Sequence, residues 1–369
     1  MSASSDFEDL LSDCIRRVGE EGPEALEAVC AERPDAAARL REHVSRLISI
    51  GLLHPSGDAP LPARVGEYEI VCRLGRGGMG VVYLARDPRT GSRVALKTGP
   101  APIERGERST ARFEREMRAF AGLRHENLVR VLDVGADDGR PFYVMEYVRG
   151  ATLSEILDAL RAERRTPSTI DVASVRRLVS DAARRANAGS ESPDRDAEIG
   201  ADSFGRTWIE FACRAVSDVA HALAHVHAAG IVHRDVKPGN VIVRVDGRAL
   251  LFDLGLAHVD NAPDITGTGD FAGTPHYVSP EVARGDVRAA DARSDVFSLG
   301  VTLYELVTLQ KPFEGPNAQR VLAAIAEREP LAPRRVEPSL PRDLETICLT
   351  ALEKGARAAP QSEWGRSKR

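Results

Sequence analysis

The chain has 369 residues, of which 43% are hydrophobic and 28% charged, and its formal net charge at pH 7 is -5. This composition is that of a globular protein with a sizeable core, and the mild negative charge argues against a nucleic-acid-binding surface. The five cysteines stand far apart and form no C-x-x-C pair, so we expect reduced thiols and neither a disulfide framework nor a zinc site.

No stretch of the sequence reaches the roughly 18 apolar residues that a membrane helix requires. The most apolar stretch, residues 211–232, is interrupted by Arg214, Asp218 and three histidines. The first six residues, M-S-A-S-S-D, lack the basic and apolar regions of a secretory signal. We therefore expect a cytoplasmic protein with no membrane span and with no nucleic acid as a partner.

Residues 6–53 are predicted to form helices, because apolar residues recur there at steps of three and four. Gly22-Pro23 interrupts the pattern, and a loop rich in proline and glycine follows it. We therefore divide this part of the chain into a helical segment, residues 1–53, and a linker, residues 54–65. An interaction or regulatory module is the expected role of the helical segment, and a plain structural extension is the alternative.

From Tyr68 the pattern changes to short runs of residues with a high propensity for strands. Between the third and the fourth of these runs, residues 112–123 return to a helical spacing. We expect a small, mostly antiparallel β lobe with one helix, spanning residues 66–148. The predicted strands are residues 68–75, 81–86, 92–98, 128–134 and 142–148.

Helices dominate after Gly150, and a larger helical lobe is assigned to residues 149–354. This lobe contains an insertion, residues 164–206, which is rich in Ala, Arg, Asp and Ser. We expect helix in its first half and flexible, solvated chain over residues 188–202. The sequence thus predicts an α+β protein with two lobes. The predicted helices of the larger lobe are residues 152–163, 208–229, 294–309, 318–328 and 342–353.

A glycine-rich turn, G-R-G-G-M-G-V-V at residues 75–82, joins the first two predicted strands and fits the pattern G-x-G-x-x-G-x-V. This context differs from that of a dinucleotide-binding turn, which joins a strand to a helix. Glycines let backbone N–H groups approach phosphate oxygens closely. Taken alone, the pattern fits a phosphate-binding loop and an ordinary glycine-rich hairpin equally well.

Lys97 lies on the third predicted strand, after V-A-L. A strand lysine that faces a phosphate pocket needs a carboxylate to hold its ammonium group, and Glu116 on the following predicted helix is placed to supply it. Glu114 is the competing candidate, but on a helix it points roughly 200° away. A lone strand lysine is usually a solvated edge residue, and the preceding glycine turn makes that alternative less attractive.

The segment I-V-H-R-D-V-K-P-G-N-V, residues 231–241, holds several side chains that can carry chemistry. The carboxylate of Asp235 can accept a hydroxyl proton or orient a nucleophile, and Lys237 is close enough to steady a transferring phosphoryl group. Asn240 can bind a metal ion through its amide oxygen. The motif D-L-G at residues 253–255 supplies a carboxylate of the kind that Mg²⁺ prefers, although an isolated D-L-G is also a common turn.

These motifs occur in the order found in protein kinases, and residues 66–354 resemble a protein kinase domain, more narrowly that of bacterial Hanks-type serine/threonine kinases. The resemblance implies a bilobal α+β fold and the use of ATP and Mg²⁺. Leu254 departs from the family, in which phenylalanine is commoner at this position. The residues that the resemblance places around the nucleotide are Leu74, Gly75, Gly77, Gly80, Val82, Ala95, Lys97, Met145, Glu146, Val148, Asn240 and Asp253.

The resemblance also implies catalytic roles. Asp235 resembles the catalytic base and Lys237 its companion, while Lys97 would pair with the α- and β-phosphates and with Glu116. Through their backbone, Glu146 and Val148 would bond adenine. The implied metal ligands are Asn240 and Asp253.

Residues 273–281, G-T-P-H-Y-V-S-P-E, resemble the substrate loop of serine/threonine kinases, with Thr274 as its characteristic hydroxyl residue. Ser279 stands where alanine is usual. Lys237 also resembles the serine/threonine class, since tyrosine kinases usually have a different residue there. Asp295 resembles the buried aspartate that holds the catalytic loop from below, although a helix-capping role for it is also expected.

Arg234, directly before Asp235, resembles the arginine of kinases whose activation loop is ordered by phosphorylation. A phosphate group there would form charge-assisted hydrogen bonds with the guanidinium. Thr266 and Thr268 lie where related bacterial kinases autophosphorylate. The resemblance therefore implies activation by trans-autophosphorylation within a transient homodimer.

The C-terminal tail, residues 355–369, departs from the family pattern. The arginine that usually pairs with Glu281 would fall at Ala359, and Arg357 is the nearest substitute. We expect Glu281 to lack its usual partner, which would reduce stability because a buried unpaired carboxylate costs several kcal/mol.

The sequence thus predicts a serine/threonine protein kinase that transfers the γ-phosphoryl group of ATP to proteins in bacterial signalling. A pseudokinase, acting as a nucleotide-binding interaction module, is the alternative. Such a protein usually lacks one of the residues Lys97, Asp235, Asn240 and Asp253, all of which are present here. A small-molecule phosphotransferase would share the nucleotide pocket but would not need the loop at residues 273–281.

Overall fold

The computed structural model describes residues 7, 10–11, 13–15, 17–18, 24–49, 61–77, 80–99, 117, 120–185, 204–253 and 275–354. The chain divides into two compact units. The first comprises Met1–Glu114 and Leu132–Met145, and the second comprises Arg115–Val131 and Glu146–Arg369.

The N-terminal part of the first unit contains two helices, α1 (Glu24–Glu32) and α2 (Ala37–Ser49). Their apolar faces close over side chains from the beginning of the chain, because apolar residues spaced by three and four share one side of a helix. The result is a small buried cluster formed by Cys14, Val18, Ala25, Val29, Cys30, Ala36, Leu40 and Val44.

A six-stranded sheet, in the order β1-β2-β3-β4-β6-β5, forms the rest of the first unit. Val94, Leu96, Phe142 and Val144 lie in one buried cluster on one face of this sheet. Since side chains alternate between the faces of a strand, the residues between them lie on the opposite face. The strands are β1 (Arg64–Val65), β2 (Tyr68–Gly77), β3 (Gly80–Arg86), β4 (Arg93–Thr98), β5 (Val131–Asp137) and β6 (Arg140–Glu146).

The second unit is mainly helical. Its central helix is α7, in which nearly every residue from Ser294 to Thr308 is buried. The indole N–H of Trp208, at the start of α5, donates to the backbone oxygen of Leu306 at 2.7 Å and ties α5 to α7. The helices are α3 (Leu153–Ala162), α4 (Val172–Arg185), α5 (Trp208–Ala228), α6 (Pro280–Ala283), α7 (Ala292–Thr308), α8 (Ala318–Glu327), α9 (Pro333–Val336) and α10 (Arg342–Ala351).

A small antiparallel sheet in the second unit carries the loops of interest. It consists of β7 (Gly150–Thr152), β8 (Val241–Arg244) and β9 (Ala249–Leu251), with β8 in the middle. Because β8 begins directly after Asn240 and β9 ends two residues before Asp253, this hairpin fixes the distance between the two loops.

The α+β fold expected from the sequence is confirmed, with some differences in the elements. Residues 128–134 were expected to form one strand, but Leu128 instead makes an isolated bridge to Leu251 and β5 begins at Val131. Most of the helix expected over residues 112–123 lies outside the described residues. Among the residues that are described, no helix is both long and apolar enough to cross a membrane.

Candidate active site

The glycine-rich turn and Lys97 are neighbours in the first unit. In the sheet, Gly75 pairs with Val82, and Val82 pairs in turn with Lys97 on β4. The hairpin is closed by the pair Gly77 and Gly80. At Gly80, where φ is +130°, a Cβ atom would lie 1.8 Å from the backbone oxygen of Thr98, so only glycine fits.

Lys97 lies on the face of the sheet opposite the apolar cluster. It is 8% exposed, and its cross-strand partner Val82 and the next residue but one, Ala95, share its face. Alternation along β6 places Met145 on that face as well, since its neighbour Val144 belongs to the cluster. The buried residue Lys97 thus shares one face of the sheet with the apolar side chains of Val82, Ala95 and Met145, all of which were predicted to contact the nucleotide.

Leu74 and Glu116 were also predicted to belong to this part of the site. Leu74 is 38% exposed and lies at an irregularity in the pairing of β2 with β3. Glu116 and its competitor Glu114 lie outside the described residues, so the predicted pairing with Lys97 stays a prediction.

Glu146, the last residue of β6, and the segment after it belong to the second unit. The N–H of Glu146 donates to the backbone oxygen of Arg130 at 2.9 Å, and its carboxylate accepts from the N–H of Arg130 at 2.9 Å. Since the N–H of Glu146 is occupied, only its carbonyl oxygen could bond adenine. Val148 lies two residues further on and is half-buried.

Asp235, Lys237 and Asn240 form one hydrogen-bonded group on the loop before β8. The ammonium of Lys237 lies 2.9 and 2.8 Å from the two carboxylate oxygens of Asp235. The amide nitrogen of Asn240 donates to the backbone oxygen and to Oδ2 of Asp235, both at 2.7 Å. The carboxylate of Asp235 is therefore held in one orientation by two neighbours, while its side chain keeps 11% of its surface exposed.

This loop is supported from below by Asp295, a fully buried residue near the start of α7. Its Oδ2 accepts the N–H of His233 at 2.8 Å and its Oδ1 accepts the N–H of Arg234 at 2.7 Å. Arg234 has a φ of +66°, a left-handed conformation that costs energy for any residue other than glycine. The two bonds from Asp295 hold this backbone in place.

The side chains of His233 and Arg234 differ in charge and in hydrogen bonding. Burial lowers the pKa of His233, so its ring is neutral, and its Nδ1 accepts the N–H of Asp235 at 3.4 Å. Nε of Arg234 is buried and has no hydrogen-bond partner. A buried guanidinium donor without a partner is a feature of a site that receives an anion.

Asp253 follows β9 and has a φ of +64°. The N–H of Phe252 donates to the backbone oxygen of Asn240 at 3.0 Å, which links the two loops directly. Because the amide nitrogen of Asn240 bonds Asp235, its amide oxygen is the group of this side chain that could bind a metal ion. An amide oxygen and a carboxylate are the hard ligands that suit a divalent cation such as Mg²⁺, which usually takes one or two protein carboxylates together with phosphates and water.

No larger metal centre is present in the described part of the chain, where no group of three or more His, Cys, Asp or Glu side chains could hold an ion.

The end of the predicted substrate loop is hydrogen-bonded to α7. The hydroxyl of Ser298 donates to the backbone oxygen of Tyr277 at 2.7 Å, and the hydroxyl of Tyr277 donates to the buried carboxylate of Glu305. Ser279, where alanine was expected, is 2% exposed and its hydroxyl has no partner. Thr274 and the predicted phosphorylation sites Thr266 and Thr268 lie outside the described residues.

Glu281 was expected to lack its usual arginine partner, and this stays a prediction. The hydroxyl of Ser294, in the first turn of α7, donates to Oε1 of Glu281. The half-buried carboxylate therefore has a hydrogen-bond partner that the sequence reasoning did not identify. Ala359 and Arg357 lie outside the described residues.

Two parts of the site were missed by the sequence reasoning. His227 bonds Asp295 through Nε2, and Arg161 on α3 bonds Oε1 of Glu305. Both pairs join residues more than 60 positions apart, so no local pattern indicates them. The available signal was the charge itself, since a charged residue within the apolar helix α7 requires a partner.

The sequence of this chain is similar to those of several known proteins. The family described as "Protein tyrosine and serine/threonine kinase" matches residues 68–357. The probable serine/threonine-protein kinase SCO3848 of Streptomyces coelicolor is 36% identical over 300 residues, which are 79% of this chain and 38% of that protein. Serine/threonine-protein kinase PknB of Mycobacterium leprae is 34% identical over 293 residues, which are 78% of this chain and 40% of that protein.

The chain thus spans about two fifths of the length of these relatives. Among solved structures, the kinase domain of Mycobacterium tuberculosis PknI, crystallised as a double mutant, has a TM-score of 0.54 and 23% identity. The likeness covers 80% of this chain and 92% of that one. At this identity it shows a shared fold.

Proposed function

Because this chain belongs to the protein kinase family, in its bacterial Hanks-type serine/threonine branch, we propose that it transfers the γ-phosphoryl group of ATP to serine and threonine hydroxyls of proteins. The observation that carries the proposal is the group formed by Asp235, Lys237 and Asn240. Two hydrogen-bond partners orient a single partly exposed carboxylate, as the acceptor of a substrate proton requires.

In the proposed reaction, the substrate hydroxyl oxygen forms a bond to the γ-phosphorus while the bond from that phosphorus to the bridging oxygen of ADP breaks. The hydroxyl proton passes to Asp235. Lys237, which bonds both oxygens of Asp235, holds the carboxylate and lends positive charge to the transferring group. In this arrangement the protein contributes orientation and electrostatic stabilisation.

The family resemblance assigns a separate part of nucleotide binding to each unit. In the first unit, the glycines of the hairpin would cover the phosphates, with Lys97 bonding them from β4 and Val82 and Ala95 against the adenine. In the second unit, Asn240 and Asp253 would hold Mg²⁺. When bound, the ion neutralises charge on the phosphate oxygens. These assignments rest on the positions of the side chains and on the family resemblance.

Activation is proposed to occur by phosphorylation of Thr266 and Thr268 within a transient homodimer. The buried and unpartnered Nε of Arg234 supports this proposal, because it provides a donor for a phosphate group close to the catalytic loop. No observation favours a pseudokinase, since the lysine, the catalytic aspartate and both proposed metal ligands are present. The cytoplasmic location and the absence of nucleic acid as a partner stay predictions.

A direct test is the incubation of the purified chain with Mg²⁺ and radiolabelled ATP, with and without a generic basic protein, followed by mapping of the phosphorylated residues. We expect phosphoserine and phosphothreonine, and no phosphotyrosine. Asp235→Asn is the matched control, because it removes the charge and keeps the shape. It should lower turnover about 10²- to 10⁴-fold without unfolding the protein. Equal incorporation by the two proteins would contradict the proposed function.

A further inference from the structure

A pocket of about 640 Å³ opens in the second unit beside the turn at Pro275–Tyr277. It lies where the C-terminal ends of α3 and α7 meet the chain that follows α7. Its size is within the range of small-ligand sites and is ample for one side chain of a bound peptide. The side chains that matter for its chemistry are those of Arg161, His276, Gln310, Lys311 and Glu314.

A buried acidic residue, Glu305, is bonded to the pocket residue Arg161 but does not itself line the pocket. The side chain of Glu305 is 2% exposed. Its Oε1 accepts from Arg161 and its Oε2 accepts from the hydroxyl of Tyr277. Arg161 is fixed further by a bond from its Nε to the backbone oxygen of Leu309 at 3.1 Å. The carboxylate is therefore satisfied and covered, and the pocket offers no buried acid to a basic ligand.

Two groups of the pocket, on Lys311 and His276, are available to donate hydrogen bonds. Lys311 is half-buried, and within the described ranges no carboxylate lies within ion-pair distance of its ammonium. Nδ1 of His276 is buried and has no hydrogen-bond partner. Burial and the nearby ammonium of Lys311 lower the pKa of His276 to about 4, so the ring is neutral and carries one N–H. The acidic side chain that lines the pocket, that of Glu314, is exposed.

The ammonium of Lys311 and the unpartnered Nδ1 of His276 belong to the same pocket, and together they suit an anionic ligand. A carboxylate that entered the pocket would bond Lys311 with opposite charge and could accept a hydrogen bond from His276 in its Nδ1–H tautomer. A basic side chain would meet Lys311 and the guanidinium of Arg161, whose counter-charge is already used. The charges therefore favour an acidic ligand over a basic one.

We propose that this pocket is a substrate-specificity subsite that accepts an aspartate or glutamate side chain located near the phosphorylated serine or threonine. The proposal rests on the kinase activity proposed above. Its place in the molecule supports it, because His276 belongs to residues 273–281, the loop that the sequence assigns to substrate binding. Lys311 and His276 act in it as specificity-determining residues.

The test uses peptides with one central serine in which each flanking position in turn carries Glu, Ala or Lys. For the full chain, kcat/KM with Glu at the best position should exceed that with Ala by about five- to tenfold, as expected for one partly buried charged hydrogen bond. With Lys at the same position, kcat/KM should fall below the value for Ala. A peptide with phosphoserine at that position distinguishes phosphate from carboxylate recognition, and a much higher rate for it would overturn the assignment to carboxylates.

Lys311→Glu should abolish the preference for Glu and produce a preference for Lys of about threefold. Arg342→Glu is the matched control, because it makes the same charge reversal at an exposed position on α10, away from the pocket. It should keep the wild-type preference. Equal preference in the wild type and in Lys311→Glu would overturn the proposal, as would a loss of preference in both variants.

Binding of the same peptides, measured by fluorescence anisotropy, separates this inference from the proposed function. A protein that phosphorylates all peptides equally and binds them equally has kinase activity without the subsite, and the subsite is then refuted. A protein that transfers no phosphate yet binds the Glu peptide through Lys311 refutes the kinase activity and retains the acidic-peptide pocket. Absence of both transfer and charge-dependent binding refutes both.

Discussion

Nε2 of His227 lies 2.7 Å from Oδ2 of Asp295, the oxygen that also accepts the N–H of His233. One fully buried carboxylate therefore joins the C-terminal turn of α5, the N-terminal turn of α7 and the loop that carries Asp235. Because the loop backbone is strained at Arg234, the position of Asp235, the proposed catalytic carboxylate, depends on this junction.

Asp295→Ala is expected to destabilise the protein by about 3 kcal/mol, because it leaves two backbone N–H groups without partners. His227→Ala removes one bond at a side chain that is 16% exposed, so we expect a loss of about 1 kcal/mol. Urea unfolding measures both values. His221→Ala is the control on the same helix, because that side chain is exposed and bonds only the backbone of its own helix. A loss for His221→Ala as large as that for Asp295→Ala would contradict this explanation.

Removal of the divalent cation should abolish phosphoryl transfer, and added Mg²⁺ should restore it. Asn240→Ala is expected to raise the Mg²⁺ concentration for half-maximal activity by at least about 10- to 100-fold, because it removes a proposed ligand and a bond to Asp235. A titration of activity against Mg²⁺ measures the change. Asn317→Ala, which removes the cap of α8, should cost about 1 kcal/mol of stability and leave the Mg²⁺ dependence unaltered. An Asn240→Ala protein with the wild-type Mg²⁺ dependence would rule out this ligand.

Activation by autophosphorylation predicts that replacement of both Thr266 and Thr268 by alanine lowers activity, whereas Thr346→Ala, at an exposed position on α10, does not. Arg234→Ala should make the wild-type threonines ineffective as well, because the guanidinium that receives the phosphate is lost. The measurement is the initial rate of peptide phosphorylation before and after preincubation with ATP. If the double alanine variant were activated by preincubation to the same extent as the wild type, the activation sites would lie elsewhere.

The pKa of His276 makes stability depend on pH in a defined direction. Burial and Lys311 lower this pKa from 6.5 to about 4 in the folded state. Between these values the unfolded chain binds a proton that the folded protein does not, so stability falls as the pH decreases from about 6.5 to about 4. We expect this group to account for about 1–3 kcal/mol over that range.

His276→Gln should therefore lose less stability on acidification than the wild type, as measured by chemical unfolding at pH 7 and at pH 4.5. Buried His233, whose pKa is also lowered, contributes in the same direction in both proteins and cancels in the comparison. Parallel stability curves for the two proteins would show that His276 is protonated equally in the folded and unfolded states.

Local patterns in the sequence were sufficient for the parts of the site built from neighbouring residues. Lys97 was placed on the third strand because residues 92–98 have a high propensity for strands, and Asp235, Lys237 and Asn240 lie within six residues of one another. The role of Ser294 could not be predicted, because its bond to Glu281 depends on how the first turn of α7 is oriented toward α6. The late start of the strand expected at residues 128–134 has a similar cause, since Leu128 forms a bridge with Leu251 and β5 begins only at Val131.

Arg161 and Glu305 form the other long-range pair that local patterns did not reveal, and their energetics can be tested. Arg161→Met leaves the carboxylate of Glu305 buried with the Tyr277 hydroxyl as its remaining partner, so we expect a loss of about 3–5 kcal/mol. Arg161→Met combined with Glu305→Gln should lose less than the single variant, because the unpaired charge is gone. Arg293→Ala, in an exposed ion pair with Asp291, should cost below about 1 kcal/mol. If Arg161→Met cost no more than Arg293→Ala, the folded protein would have to supply Glu305 with another partner or with a proton.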